Sequence, residues 1–215
     1  IRPMADNYLG RKMEEYFSRG DSDKRPRPSN TLARLLHRNR SCRGYDSAFK
    51  VRDDQLRRII GVNTSVASAR NRQALRFRPV LADEAAKVLP HIRMGGALPE
   101  LHLPLPGTEP NAFIVICTAA EPDEDLYIDL GISAQSMLLQ AVEIGLNGLC
   151  IRAFDREALK QSLALPCEPL MVVAIGRSIE NIETVDIAAG ESHAYYRRDG
   201  RHYVPKVRLD DLIIR

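Results

Sequence analysis

Two short runs almost free of polar residues, Ala112-Phe-Ile-Val-Ile-Cys-Thr118 and Leu170-Met-Val-Val-Ala-Ile175, constrain this chain more than any other feature. Apolar side chains at consecutive positions leave no face of a strand for water, so both runs read as buried strands. Between them lies the pattern of the longest helix, expected from about Leu126 to Leu146. Ile128, Ile132, Gln135, Leu138, Leu139, Val142 and Leu146 line its successive turns, and the small residues Gly131, Ser133, Ala134 and Ala141 let neighbours approach.

Local signals place the other elements. Asp6 or Asn7 can cap a first helix through about Arg19, and the proline-broken stretch to Ser29 reads as a surface connection. Asn30 caps a short helix carrying Leu32, Leu35 and Leu36, and Asp53 or Asp54 opens another that stops at Gly61 and Asn63. The small and polar stretch Ser65–Gln73 hands over to a strand-like Leu75–Val80. A helix is expected from Asp83 to near Pro90, followed by a Gly- and Pro-rich loop from Gly95 to Pro110. Gly145 closes the long helix, Gly148–Ile151 resumes a strand, and Asp155 caps a short helix ending before Pro166. Asp199-Gly200 marks a hairpin turn between Tyr195-Tyr196 and His202-Tyr203-Val204. No polar linker divides the chain. We therefore expect residues 1–30 to form an N-terminal helix and connection, and residues 31–215 a single domain with one sizeable core.

The net charge of +3 conceals an imbalance, since residues 1–80 carry 19 Lys and Arg against 8 Asp and Glu and residues 81–215 carry 12 against 20. A basic third of this kind suits nucleic acid, a phosphate-bearing small ligand, or merely a solvated face. Nucleic acid is disfavoured because the arginines from Arg38 to Arg78 lack an interleaved aromatic platform, Tyr45, Phe49 and Phe77 lying far apart. Cys42, Cys117, Cys150 and Cys167 are widely spaced without a metal-binding pattern and read as buried free thiols, so no metal is expected. The five histidines are scattered and read as surface or structural residues. There is no P-loop, no G-x-G-x-x-G after a strand, no H-E-x-x-H and no G-x-S-x-G, which removes the common NTPase, zinc-hydrolase and serine-hydrolase sites. No apolar run approaches ~18 residues and the first residues lack a signal-like apolar stretch, so the expectation is a cytoplasmic protein with no membrane partner.

One positive signal is Arg38-Asn-Arg-Ser-Cys-Arg43, where three guanidinium groups and a hydroxyl within six residues can surround a phosphate with forked donors. Arg40-Ser-Cys-Arg43 resembles the R-S-x-R element of the nitroreductase family. Ser68-Ala-Arg-Asn-Arg-Gln73-Ala-Leu-Arg-Phe77 is similar to that family's P-S-x-x-N-x-Q-P-W-x-F segment, with Ala67 and Ala74 where proline is usual and Leu75 where tryptophan is common. The long helix closing on Gly145 to Gly148 resembles the family's central helix. Val204-Pro-Lys206-Val-Arg208-Leu-Asp-Asp-Leu-Ile-Ile214 is similar to its R-K-P-L-x-x-I ending.

The resemblance implies an α+β, nitroreductase-like sandwich with a central mixed or antiparallel sheet flanked by helices, in an intertwined homodimer with shared active sites. It implies FMN as cofactor and NADH or NADPH as co-substrate, hydride passing through the flavin to a small organic acceptor such as a nitro compound or quinone by a ping-pong mechanism. The cofactor-binding residues it implies are Arg40, Ser41, Arg43, Asn71, Gln73, Gly148, Lys206 and Arg208, with Asn71 on the polar edge of the ring and Lys206 on the phosphate. No catalytic side chain is assigned, because the hard chemistry belongs to the cofactor. Reductive dehalogenation or enone reduction on the same fold, and flavin storage or sensing, are the alternatives.

Overall fold

The two apolar runs lie side by side as antiparallel strands at the centre of a four-stranded sheet. The computed structural model describes residues 32–96 and 102–214, so the expected first helix and its connection lie outside the described residues. In chain order the elements are α1 (Leu32–Arg38), α2 (Asp53–Gly61), β1 (Leu75–Val80), β2 (Ala112–Thr118), α3 (Glu124–Glu143), β3 (Asn147–Ile151), α4 (Arg156–Ser162) and β4 (Glu168–Gly176). They continue as β5 (Asn181–Ile187), β6 (Tyr196–Arg198), β7 (Arg201–Val207) and α5 (Leu209–Leu212). The large sheet runs β1-β2-β4-β3, every pair antiparallel.

All seven residues of β2 are buried because both faces of the sheet are covered. Successive side chains point to opposite faces, and the core divides accordingly. Ala112, Ile114 and Ile116 join Val173 and Ile175 of β4 against Leu56 and Ile59 of α2 and Leu130, Ala134 and Met137 of α3. Phe113 and Val115 join Val172 and Ala174 against Leu159 of α4, Val88 and Tyr45. Each aliphatic side chain so enclosed contributes on the order of 1.5–3 kcal/mol, so neither helical layer is dispensable. β1 is an edge strand, which is why Pro79 is tolerated within it.

The long helix starts two residues before the expected Leu126, where the Asp123 carboxylate accepts the Leu126 N–H at 2.8 Å. It ends at Glu143, ahead of Gly145 with φ +82°. Its apolar stripe is two stripes. Leu126, Leu130, Ala134, Met137 and Ala141 enter the core, whereas Ile128 and Ile132 stay exposed. As expected, α2 opens at Asp53 and stops at Gly61; its N-cap position is Arg52, whose N–H is taken by the Gln55 side chain at 3.0 Å. One further expectation is corrected. The helix expected from Asp83 to Pro90 is instead a pair of 3-10 turns, Ala85–Lys87 and Leu89–His91, because Pro90 has no N–H with which to continue a helix.

The chain then builds a second, smaller sheet of order β5-β7-β6, in which β5 is parallel to β7 and β6 antiparallel. The hairpin expected at Asp199-Gly200 joins β6 to β7, with both residues at positive φ, 52° and 72°. Helices thus flank an antiparallel sheet, with a small mixed sheet beside it, in an α+β fold. No described helix is long and apolar enough to cross a membrane.

Candidate functional site

The segment after α1 is stitched to the edge of the large sheet by a parallel bridge between Ser41 and Gly148, with the Cys42 N–H donating to the Gly148 carbonyl at 3.2 Å. This contact carries Arg40, Ser41 and Arg43 to the end of β3, and β7 of the small sheet arrives from the other side. Between them is a cavity of about 330 Å³ whose wall includes Arg40, Ser41, Arg43, Gln135, Gly148, Tyr195, His202 and Lys206. Among the described residues no Asp or Glu lines it, although Glu180 accepts the backbone N–H of Arg43.

The electrostatics of this wall are one-sided. Most arginines in the structure are matched, as in Arg52 with Asp54, Arg72 with Asp123, Arg78 with Glu84 and Arg201 with Glu183. Arg40, Arg43 and Lys206 make no ion pair among the described residues. Arg40 is half-buried, and burial lowers its pKa below the ordinary guanidinium value. One of its terminal nitrogens donates to the Leu36 carbonyl, while its Nε is buried without a partner. Arg43 reaches back to the Ser41 carbonyl at 3.2 Å and stands 5.7 Å from the centre of the Tyr195 ring. Cations held unmatched around a concave wall are suited to an anion.

The thiol between these arginines serves packing. Cys42 is fully buried, its Sγ 3.0 Å from both the Gly44 carbonyl oxygen and the Ser178 hydroxyl, and burial pushes its pKa up to about 12. Burial likewise raises Cys117 to about 12 and Cys150 to about 11, so none of the three is a thiolate at neutral pH.

A second locus surrounds the loop Ser68–Gln73. Arg70, Asn71 and Gln73 all adopt left-handed backbone conformations, with φ of 51°, 55° and 46°, which non-glycine residues occupy only when their surroundings enforce it. The enforcement comes from the first turns of α3. Asp125 pairs with Arg70 at 3.1 Å, and Asp123 holds Arg72 through two bonds of 2.7 and 2.9 Å. The buried Asp129 accepts the Ala69 N–H at 2.8 Å. Gln73 donates to the Asn71 side-chain oxygen at 3.0 Å, and Asn71 itself is exposed. A cavity of about 690 Å³ lies beside this loop, bordered by Ser68, Gln73, Leu75, Phe77, Asp129 and Ser133. Asp129→Ala leaves the Ala69 N–H without its acceptor and should lower stability by about 1–3 kcal/mol. Urea unfolding would check this, and an unchanged midpoint would mean that the flanking ion pairs hold the loop alone.

The profile described as the nitroreductase family matches residues 36–177. The chain belongs to the nitroreductase family. No curated protein sequence matches it. Among solved structures, a nitroreductase family protein from Clostridium difficile 630 is similar at 22% identity and a TM-score of 0.57, over 70% of this chain and 86% of that one. The nitroreductase family protein from Streptococcus pneumoniae TIGR4 superimposes with a TM-score of 0.62 at 14% identity, over 86% of this chain and all of that one, 100%. A protein from Exiguobacterium sibiricum 255-15 in complex with FMN gives a TM-score of 0.57 at 16% identity, over 72% and 91% of the two chains. At these identities the likeness is one of fold. The family match ends at residue 177, before the small sheet that supplies His202 and Lys206 to the cavity.

Five of the eight residues singled out in the sequence, Arg40, Ser41, Arg43, Gly148 and Lys206, therefore share one nitroreductase-fold cavity. The other three lie elsewhere. Asn71 and Gln73 belong to the α3-bound loop, and Arg208, at the start of α5, is engaged with Asp211 at 3.2 Å and does not line the cavity. Tyr195 and His202 were not singled out. His202 was discoverable by counting back from Lys206 in steps of two, since 202, 204 and 206 share one face of a strand and all three line the cavity.

Proposed function

We propose that this chain is an FMN-dependent oxidoreductase that takes hydride from NADH or NADPH and delivers it to a small organic acceptor in a ping-pong cycle. The observation that carries this reading is a cavity that no described Asp or Glu lines and whose three cations, Arg40, Arg43 and Lys206, make no ion pair among the described residues, on a fold that binds FMN in a relative. These groups fit a phosphate. Arg40 still has a buried Nε to donate, and guanidinium forks complement phosphate oxygens. When bound, FMN would supply the hydride-transfer chemistry. The chain's part is to neutralise the phosphate with Arg40, Arg43 and Lys206, to offer the Ser41 hydroxyl beside them, and to hold the nucleotide in one orientation.

Asn71 and Gln73 enter this reading through a second copy of the chain. At about 100° per residue, Asp129 beside the loop and Leu138 beside the phosphate cavity project from α3 about 180° apart. The exposed Ile128, Ile132 and Gln135 lie on the arc between them. An apolar strip of that kind, together with Leu209, Leu212, Ile213 and Ile214 at 70%, 65%, 53% and 99% exposure, calls for a covering surface. A two-fold partner packed on this arc would bring its loop Ser68–Gln73 toward this chain's cations. Each site would then draw on both subunits of a homodimer.

The test is the purified protein itself. Expected are the visible bands of oxidised flavin, a released chromophore with the mass of FMN, a solution mass twice that of the 24.1 kDa chain, and bleaching on anaerobic addition of NADH or NADPH. A protein that stays colourless after incubation with FMN would overturn the reading. A yellow protein that neither nicotinamide bleaches would instead be a flavin carrier or sensor.

A further inference from the structure

His202 is the most enclosed polar group on the phosphate-cavity wall, only 4% exposed, and its Nδ1 is buried without a hydrogen-bond partner. Buried imidazole nitrogens normally find one. The ring is held in place by Tyr195, edge-on at 5.3 Å between centres. Its direction is fixed by β7, where it takes part in the same alternation that presents Val204 and Lys206 to the cavity. Register places it beside Ile182 of β5, which also lines the cavity, and beside Arg197 of β6. Burial first, then the positive charges of Arg197 and Arg43, hold its pKa below the ordinary histidine value against the opposing pull of Glu180. The ring is therefore neutral at physiological pH and presents one donor and one acceptor.

We propose that His202 is a ligand-binding residue of this cavity, donating a hydrogen bond from its imidazole to the phosphate end of the flavin nucleotide held by Arg40, Arg43 and Lys206. This rests on the functional reading above and extends the site into the small sheet, beyond the residues that the nitroreductase profile covers. A structural role alone does not account for the ring, because a side chain needed only for packing need not carry a buried, unpartnered nitrogen on a wall that also holds Arg40, Arg43 and Lys206. A neutral donor also completes the wall without adding a fourth positive charge to a cluster that is already self-repelling.

The experiment compares FMN with riboflavin, which has the same ring and ribityl chain but no phosphate, by titrating flavin-free full-length protein. In the wild type FMN should bind far more tightly than riboflavin. His202→Phe preserves the contact with Tyr195 but has no donor, and should weaken FMN by about tenfold or more while changing riboflavin by less than about twofold. His202→Gln, which restores a donor, should recover most of the FMN affinity. An equal loss for both flavins, or no loss for either, overturns the proposal. Should the phenylalanine variant fail to fold, the ring ¹⁵N signals of wild-type His202, assigned by their absence in His202→Gln, are followed as inorganic phosphate and then FMN are added. They should move with both, and stationary signals overturn the proposal. A wild-type protein with no preference for FMN over riboflavin would sink the cavity reading as a whole. A wild-type preference unaffected at position 202 would sink the role of His202 alone.

Discussion

Gly148→Ala is expected to destabilise the protein by about 2–3 kcal/mol and to abolish flavin binding by the surviving folded fraction. A methyl group built on Gly148 would stand 2.6 Å from the Ala174 carbonyl oxygen, 2.6 Å from Leu138 Cδ2 and 3.0 Å from Ile175 Cδ1. The leucine could rotate away, but the carbonyl belongs to the β4 backbone and is fixed by its pairing with β3. The strand must therefore move, and Gly148 also forms the bridge to Ser41 and accepts from the Cys42 N–H. Any displacement thus passes directly to Arg40 and Arg43. Gly61→Ala is the matched control. Nothing lies within 4 Å of its added carbon, its φ of −57° suits alanine, and its substitution should be neutral or stabilising by up to ~1 kcal/mol. Urea midpoints of the two variants decide the matter. A Gly148→Ala protein with the wild-type midpoint would show that β3 can yield by several tenths of an ångström without loss.

The strands and the long helix were legible because their signals are local. The unbroken apolar runs of β2 and β4 could only be buried, and Asp155, Gly145 and Asp199-Gly200 ended or began elements where their chemistry requires. The sequence was ambiguous wherever two surfaces compete for one kind of residue. Ile128 and Ile132 have the hydropathy of core side chains, and nothing in their spacing distinguishes the helix face turned to the sheet from the face left in solvent. The helix expected after Asp83 failed for a different reason. A proline at its last turn and a length of only a few residues left the chain short of the hydrogen bonds that make an α-helix cooperative.

The candidate site was legible in its charges but not in its company. The cluster Arg38–Arg43 suits an anion or a solvated turn equally by composition, and the position of Lys206 followed from resemblance. Which of the later residues face the ligand depends on the phase of β7, and a hairpin that also pairs in parallel with β5 fixes that phase only in three dimensions. Asn71 shows the converse. Its type was apt for a heterocycle, yet its loop is held by the carboxylates of Asp123, Asp125 and Asp129 at the start of α3, and it does not line the cavity of Arg40, Arg43 and Lys206.

Arg40→Gln should weaken FMN binding about 100-fold, close to 2.7 kcal/mol, and leave riboflavin nearly unaffected. The three cations are not equivalent, and their surroundings rank them. Arg40 is half-buried, already partly stripped of water and anchored through the Leu36 carbonyl, so its remaining donors meet a phosphate with little further loss of hydration or side-chain freedom. Arg43 is half-buried but partly engaged with Ser41 and Tyr195, and Arg43→Gln should weaken FMN by roughly tenfold. Lys206 is exposed and acts as a point charge in high dielectric. Its replacement by glutamine should matter only a few-fold, and that effect should fade as salt rises past about 0.15 M, where screening reaches within ~8 Å. Arg208→Gln should change nothing, because that side chain is committed to Asp211 and stands off the cavity wall. The order Arg40, Arg43, Lys206, Arg208, measured by fluorescence titration of flavin-free protein at two salt concentrations, thus reads out burial rather than charge. If Lys206 or Arg208 were to prove dominant, the phosphate would have to sit at the outer edge of the small sheet, and the half-buried guanidinium of Arg40 would be left without an anion to explain it.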